Sequence, residues 1–227
     1  MTPLGQAQRP DDQQQGSNRL LIGGSIVLGC LTFAVLLTYH NLADGDMWAR
    51  LAAGAAVLRN GTVMPRDIFA FTPILPAWVD HEWGMGFLLF ALLRAYGPGS
   101  LMLLKLATGL GAILVALLAG RRLKAPWPAL LLLAIPCTIT VLPGYVPVIR
   151  SHAFTYLFFA LSLLCLEASR QGRRHAVWLL VPVMVVWTNV HGGFVAGLGM
   201  IGVYTGWAVL TRKNWLTMLP AASACGL

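Results

Sequence analysis

Negative charge is scarce in this chain. It has eight acidic residues in 227, and charged residues of both signs make up only 11%. Soluble domains carry about 25%, so an ordinary soluble fold is excluded. Paired cysteine motifs are absent. Cys30, Cys137, Cys165 and Cys225 each lie inside an apolar run and none forms a CxxC pair, which indicates neither a zinc site nor a disulfide framework. Alternating apolar and polar runs are absent too, so the long apolar segments read as helices and not as barrel strands. No basic patch interleaves with exposed aromatics. The net charge of +8 therefore does not indicate nucleic acid.

What is present is apolar bulk: 57% hydrophobic residues and a mean hydropathy of +0.71. The fold class is all-α, a polytopic membrane protein of six to seven transmembrane helices. Residues 1–18 are polar and Gln-rich, and read as a disordered tail; residues 19–227 form the membrane domain. Spans are expected at 20–39, 100–120, 127–142 (kinked at Pro136), 152–167, 176–190 and 192–210. The first run is longer than a signal-peptide core of about 7–15 residues and lacks a small-residue cleavage context, so it reads as a retained anchor. A seventh run from Trp215 to Leu227 is too short to cross comfortably. It is either interfacial or the mark of a truncated or fragmentary protein.

Lysine and arginine set the orientation. With the amino terminus inside, Arg9, Arg19, Arg121, Arg122, Lys124, Arg170, Arg173, Arg174, Arg212 and Lys213 fall on the inner side, ten of the sixteen basic residues. The outer side receives loop 40–99, loop 143–151 and the turn at 189–193. This requires that the apolar run 84–96 does not cross. At about 1.5 Å per residue it spans roughly 20 Å, short of a ~30 Å core. It is expected to lie at the outer interface, as is a short amphipathic helix at 48–58.

Five of the eight acids, Asp44, Asp46, Asp67, Asp80 and Glu82, fall in that first outer loop. Carboxylates beside hydrocarbon are costly unless hydrated, paired or liganded. Asp44 and Asp46 could take a proton from an acceptor or hold a divalent metal. Asp46 could equally cap a helix, and the roles are compatible. In Asp80-His81-Glu82-Trp83, a cap at Asp80 and an interfacial Trp83 leave His81 and Glu82 unexplained, which favours a site. Arg150, followed by His152, breaks the charge rule and needs an anion, either a phosphate or a loop carboxylate. Asn189-Val-His191-Gly-Gly193 is a turn whose glycines, with Gly197 and Gly199, permit close packing; His191 is a further site candidate. Lys105 either snorkels to the outer interface or meets a lipid phosphate. Three distant loops thus bring carboxylates, imidazoles and a guanidinium to one face.

Asp46-Met-Trp48-Ala-Arg50-Leu51, Gly54, Pro65-Arg66-Asp67-Ile68-Phe69, Trp78, His81-Glu82-Trp83 and Asn189-Val-His191-Gly-Gly193 resemble, in order and spacing, the bacterial GT-C type membrane glycosyltransferases. These are polyprenyl-phosphate-sugar-dependent enzymes similar to dolichyl-phosphate-mannose mannosyltransferases. The resemblance covers about residues 40–205. It implies an acidic residue early in the first outer loop, matched by Asp46 with Asp44 beside it, followed by juxtamembrane helices and a lipid-phosphate donor reached from the membrane. Arg50 stands where relatives often carry His. Relatives have ten or more spans and a C-terminal soluble domain, so a partner chain supplying helices is one expectation.

The expected function is inverting transfer of a hexosyl or pentosyl group from a polyprenyl-phosphate donor to an acceptor. It would take place on the outer face of the bacterial inner membrane, in cell-envelope synthesis. Asp46 would be the base, supported by Asp44, Asp80 and Glu82. His81, Arg150, His152, Lys105, Asn189 and His191 would bind substrate. A divalent cation (Mg or Mn) bridging Asp46 and Glu82 is compatible with this and not required. The alternative is a non-catalytic membrane protein, a truncated paralogue or assembly partner of such an enzyme. A transporter would need ionisable groups at mid-span, and only Lys105 approaches that.

Overall fold

A computed structural model describes residues 45–72, 76–130, 132–134, 136 and 148–227, together with residues 23, 29 and 43. The described residues form helices and turns with no strand. We number the α-helices α1 Gly45–Asn60, α2 Trp83–Tyr96, α3 Gly99–Arg122, α4 His152–Arg170, α5 Leu180–Val190, α6 Phe194–Thr211 and α7 Trp215–Ala224. A 3-10 turn, Arg174–Leu179, leads into α5.

Among the described residues three helices, α3, α4 and α6, are long and apolar enough to cross a membrane. Their 24, 19 and 18 residues correspond to about 36, 28 and 27 Å at 1.5 Å per residue. Their outer faces carry large apolar side chains in the open, among them Leu103, Leu118, Val203 and Leu210. In water such a surface would be an association hazard; in hydrocarbon it is the normal exterior.

The expected six to seven spans are met only in part. The run 20–39, apart from residues 23 and 29, and half of 127–142, including the residues that follow Pro136, lie outside the described residues, so neither the first span nor the expected kink at Pro136 is tested. The run 176–190 is not one long helix. Pro182 lacks an N–H and sits in the first turn of α5, where that costs nothing, so a new 11-residue helix starts after the 3-10 turn. α7 has ten residues and contains Pro220, too short for a crossing.

α3 and α4 run parallel. Their C-termini meet where Gln171 Nε2 donates to the Arg122 carbonyl at 2.6 Å. α6 runs the same way, because Asn214, just past its end, donates to the Ser169 carbonyl at 3.1 Å. The N-termini of all three therefore share one end of the bundle, and Arg121, Arg122, Arg170, Arg173, Arg212 and Lys213 gather at the other. α5 returns to the first end. α2 starts there beside Asn189 of α5, and only Gly97 and Pro98 separate its end from the start of α3. Both its termini belong to the same end, so α2 runs across the bundle and not along it. It is the helix expected at 84–96. α1 is longer than the expected 48–58 and includes Asp46 within its first turn, so Asp46 does not serve as its N-cap.

α1 and α2 cross at Gly54 and Gly86. A Cβ on Gly54 would overlap the Gly86 carbonyl, and one on Gly86 would come within 2.6 Å of the Arg50 carbonyl. The two backbones touch where only hydrogen atoms fit between them. A Cβ on Gly197 would likewise come within 2.5 Å of the Trp187 ring, whereas one on Gly199 would meet nothing; the packing role expected of Gly199 is not found among the described residues. Gly54→Ala should therefore lower the unfolding temperature of the purified protein, by the roughly 1–3 kcal/mol of an overpacked contact. Gly199→Ala should leave it nearly unchanged, within about 0.5 kcal/mol. Equal effects of the two would mean that the α1–α2 crossing is not tight.

Candidate functional site

The polar end of the bundle is organised around one buried carboxylate. Asp80 has a side chain only 4% exposed, and its Oδ1 accepts from Arg50 Nη1 at 2.6 Å. The same oxygen accepts the Glu82 backbone N–H at 3.0 Å, a side chain-to-backbone turn that starts α2 two residues on. Arg50 is placed by the glycine crossing, because only when α1 lies against α2 does its guanidinium reach the segment before α2. An ion pair this dry is worth keeping whole: loss of one partner strands a buried charge.

Glu82 occupies the centre. Its Oε2 lies 3.9 Å from Arg50 Nε. Its Oε1 lies 3.8 Å from His81 Nε2 and 3.7 Å from His191 Nε2. These separations are too long for direct hydrogen bonds but place the guanidinium and both imidazoles around the carboxylate. Arg50 Nε is buried with no hydrogen-bond partner among the described residues. The carboxylate of Glu82 is thus surrounded by donors without being saturated by them.

The protonation of His191 can be read from its neighbours. Its Nδ1 receives the Gly193 backbone N–H at 2.9 Å, so Nδ1 is an acceptor. Thr155 Oγ1 lies 2.8 Å from the same atom and itself accepts from Trp187 Nε1 at 3.1 Å. The directional chain is Trp187 N–H to Thr155, and Thr155 O–H to Nδ1. The ring proton then sits on Nε2, facing Glu82. A second ring proton on Nδ1 would confront the Gly193 N–H. Burial lowers the His191 pKa from its ordinary value; Glu82 opposes this, while His152 and His81 add to it. His152 is thereby part of the same field, with its ring edge-on to Tyr156 at 6.1 Å.

Asn189 belongs to the frame. Its Oδ1 accepts from Trp83 Nε1 at 2.6 Å, and its Nδ2 donates to the Val185 carbonyl at 2.7 Å. Its amide is committed at both ends, pinning the start of α2 to the end of α5. A Cβ on Gly84 would come within 2.7 Å of the Asn189 carbonyl, so that junction too is backbone against backbone.

The other expected site residues fall as follows. Asp46 is exposed, one helical turn before Arg50 on α1. Asp44 lies outside the described residues. Arg150 is exposed just before α4 and lines a small cavity of about 10 Å³ together with Lys105, Met85 and Phe154. Lys105 is only 2% exposed, so it does not snorkel to water; it is held inward against α2 and α4. The structure therefore joins Asp80, His81, Glu82, His152 and His191 through contacts or charge coupling, and places Lys105 beside Arg150. It shows no direct contact of Asp46 with the cluster. Among the described residues no three His, Cys, Asp or Glu side chains gather closely enough to hold a metal.

Sequence reasoning missed four residues. Arg50 was noted only as a departure from the resembling family, although its i+4 spacing from Asp46 puts both on one helix face. Thr155 and Trp187, which set the His191 tautomer, carry no sequence signal beyond sitting three residues after His152 and four before His191. Trp83 was assigned to the interface, yet its N–H is bonded inside the protein.

A histidine held neutral by the fold makes stability fall with acid. The unfolded chain binds a proton near the ordinary value of 6.5, while the folded chain resists until lower pH. The contribution is complete above 6.5 and is lost as pH drops below it. The melting temperature of the wild type should fall between pH 7.5 and 5.5, and His191→Gln should show a smaller fall over that interval. An unaltered acid dependence in the variant would remove His191 as the buried neutral group.

No family model, curated protein or solved structure matches the chain.

Proposed function

We propose that the protein is a membrane glycosyltransferase of GT-C type. It would move a sugar from a polyprenyl-phosphate donor to an acceptor on the outer face of the bacterial cytoplasmic membrane. The observation that carries this reading is the gathering of Asp80, Glu82, His81 and His191 from distant segments beside the Lys105–Arg150 cavity. One end of an apolar bundle thus holds groups for proton transfer next to two cations suited to a phosphate. The basic clusters lie at the other end, as an inner face requires.

Roles follow from access. Asp80 is buried, and its Oδ1 is held by Arg50 and the Glu82 N–H, so its role is to anchor. Glu82 faces Arg50 and two imidazoles, and it orients the His191 Nε2–H. Asp46 is exposed at the first turn of α1 and is open to a large acceptor, which makes it the base. Arg150, with Lys105 beneath it, would hold the departing lipid phosphate through charge-assisted hydrogen bonds. A divalent cation between Asp46 and Glu82 is compatible with these roles, and none of them requires it.

Turnover of lipid-linked sugar in membranes tests the assignment. Asp46→Asn should lower transfer by about 10²-fold or more, the usual contribution of a positioned base, with insertion unchanged. Arg150→Ala should mainly raise the donor concentration needed for half-maximal rate. Full activity of Asp46→Asn would move the base to Glu82. Inactivity of the unmodified chain, alone and with its membrane partners, would favour a non-catalytic assembly role.

Orientation has its own test. A cysteine introduced at Gly61 should react with an impermeant maleimide in intact cells, and one at Gln171 should react only after permeabilisation. The reverse pattern would place the polar cluster on the cytoplasmic side and remove the outer-face reading.

A further inference from the structure

The basic end of the bundle contains a second polar construction. Between α4, α6 and α7 lies a cavity of about 200 Å³, room for roughly six waters at ~30 Å³ each. Its wall includes Ser169, Arg170, Tyr204, Lys213 and Asn214. Ser169 is 1% exposed, and its Oγ has no hydrogen-bond partner among the described residues. A buried hydroxyl left unbonded is unfavourable unless something fills the space before it.

The charges around the cavity select the ligand. Glu167 is already neutralised: Arg170 clasps it through Nε at 3.0 Å and Nη2 at 2.7 Å, and Tyr204 donates to it at 2.5 Å. The nearby helix-end carbonyls are also occupied. Ser169 O accepts from Asn214, Ala208 O from the Lys213 N–H, and Val209 O from the Arg212 N–H. The one carboxylate here and these three carbonyls are thus already committed among the described residues. Lys213 is exposed and unpaired among the described residues, and Arg170 keeps one terminal nitrogen outside its clasp. Asn214 is the N-cap of α7, which adds the positive end of a helix dipole. The ligand is therefore an anion that accepts hydrogen bonds.

Its apolar surroundings decide between sources. Trp207 on the cavity wall is 60% exposed, and Leu210 and Leu216 on the adjoining helices are exposed as well. A free anion would gain nothing from them, whereas acyl chains would cover them. A tryptophan at this level is also the usual neighbour of headgroups. We infer that this cavity binds the phosphate of an anionic phospholipid, with Lys213 and Arg170 as the cationic contacts and the Ser169 hydroxyl as a donor. The site lies at the opposite end from the polar cluster and does not depend on the proposed transfer reaction.

Native mass spectrometry of the full chain, delipidated in a non-ionic detergent, provides the test. Dioleoyl phosphatidylglycerol should be retained at one copy in preference to dioleoyl phosphatidylcholine. Lys213→Gln should weaken phosphatidylglycerol retention about tenfold, as expected for loss of one charged hydrogen bond. Ser169→Ala, a smaller change at a residue away from solvent, should weaken it by a smaller factor. Arg59→Gln on α1 should have no effect. A Lys213→Gln effect no larger than that of Arg59→Gln would reduce the preference to net charge and overturn the site. Displacement of the lipid by millimolar inorganic phosphate would overturn the lipid assignment in favour of a free anion.

Discussion

The Arg50–Asp80 ion pair depends on two helices touching without side chains between them. Asp80 is nearly dry, and a dry carboxylate needs its cation within hydrogen-bond reach. Arg50 lies on α1 and Asp80 just before α2, so the pair forms only if those helices approach backbone to backbone. Gly54 and Gly86 make that approach. Once Asp80 is fixed, its other contact, to the Glu82 N–H, sets where α2 begins. The start of α2 in turn places Glu82 against His191 and Trp83 against Asn189. A single close crossing thereby fixes side chains separated by more than a hundred positions in sequence.

The opposite end solves the same electrostatic problem differently. Glu167 is buried near the end of α4, and a bidentate arginine one turn away, together with a tyrosine from α6, supplies its partners. Here the pairing is local along the helix and needs no close crossing. The difference has a consequence for function. The polar cluster at the first end has hydrogen-bonding capacity unspent on Glu82 and Arg50 Nε, while Glu167 is closed off. Unspent capacity next to an accessible surface is what a reacting site needs; a closed network holds helices together.

Much of this was legible in sequence. Length and apolarity gave the helical membrane class, and the positions of α2, α3, α4 and α6 followed from runs of the right length. The meeting of the segment 80–82 with His191 at the end away from the clustered arginines agrees with where those arginines fall in the sequence. Partner choice was not legible. Nothing in the motif order says that Asp80, and not Asp46, will be buried, because that depends on the depth of the α1–α2 crossing. Lys105 looked like a snorkelling lysine by position alone; its burial depends on α2 lying over it, a tertiary fact. The break in the run 176–190 was signalled by Pro182, but whether a proline in an apolar run kinks a helix or starts one is settled by the turn before it.

The tautomer of His191 connects the frame to the chemistry. A histidine with Nδ1 tied to a backbone N–H and a threonine hydroxyl cannot easily take a proton there, so Nε2 is its working atom and carries hydrogen. Such a group donates; it does not abstract. Next to Glu82, and within the field of His81 and His152, its use under the proposed reaction would be to fix an oxygen of a substrate or to hold the carboxylate in place. Under the proposed transfer reaction, the base would be a carboxylate outside this net of donors and open to the acceptor. Asp80 and Glu82 are both inside the net. Asp46 is outside it, one turn up the same helix face, on the scaffold that Arg50 anchors.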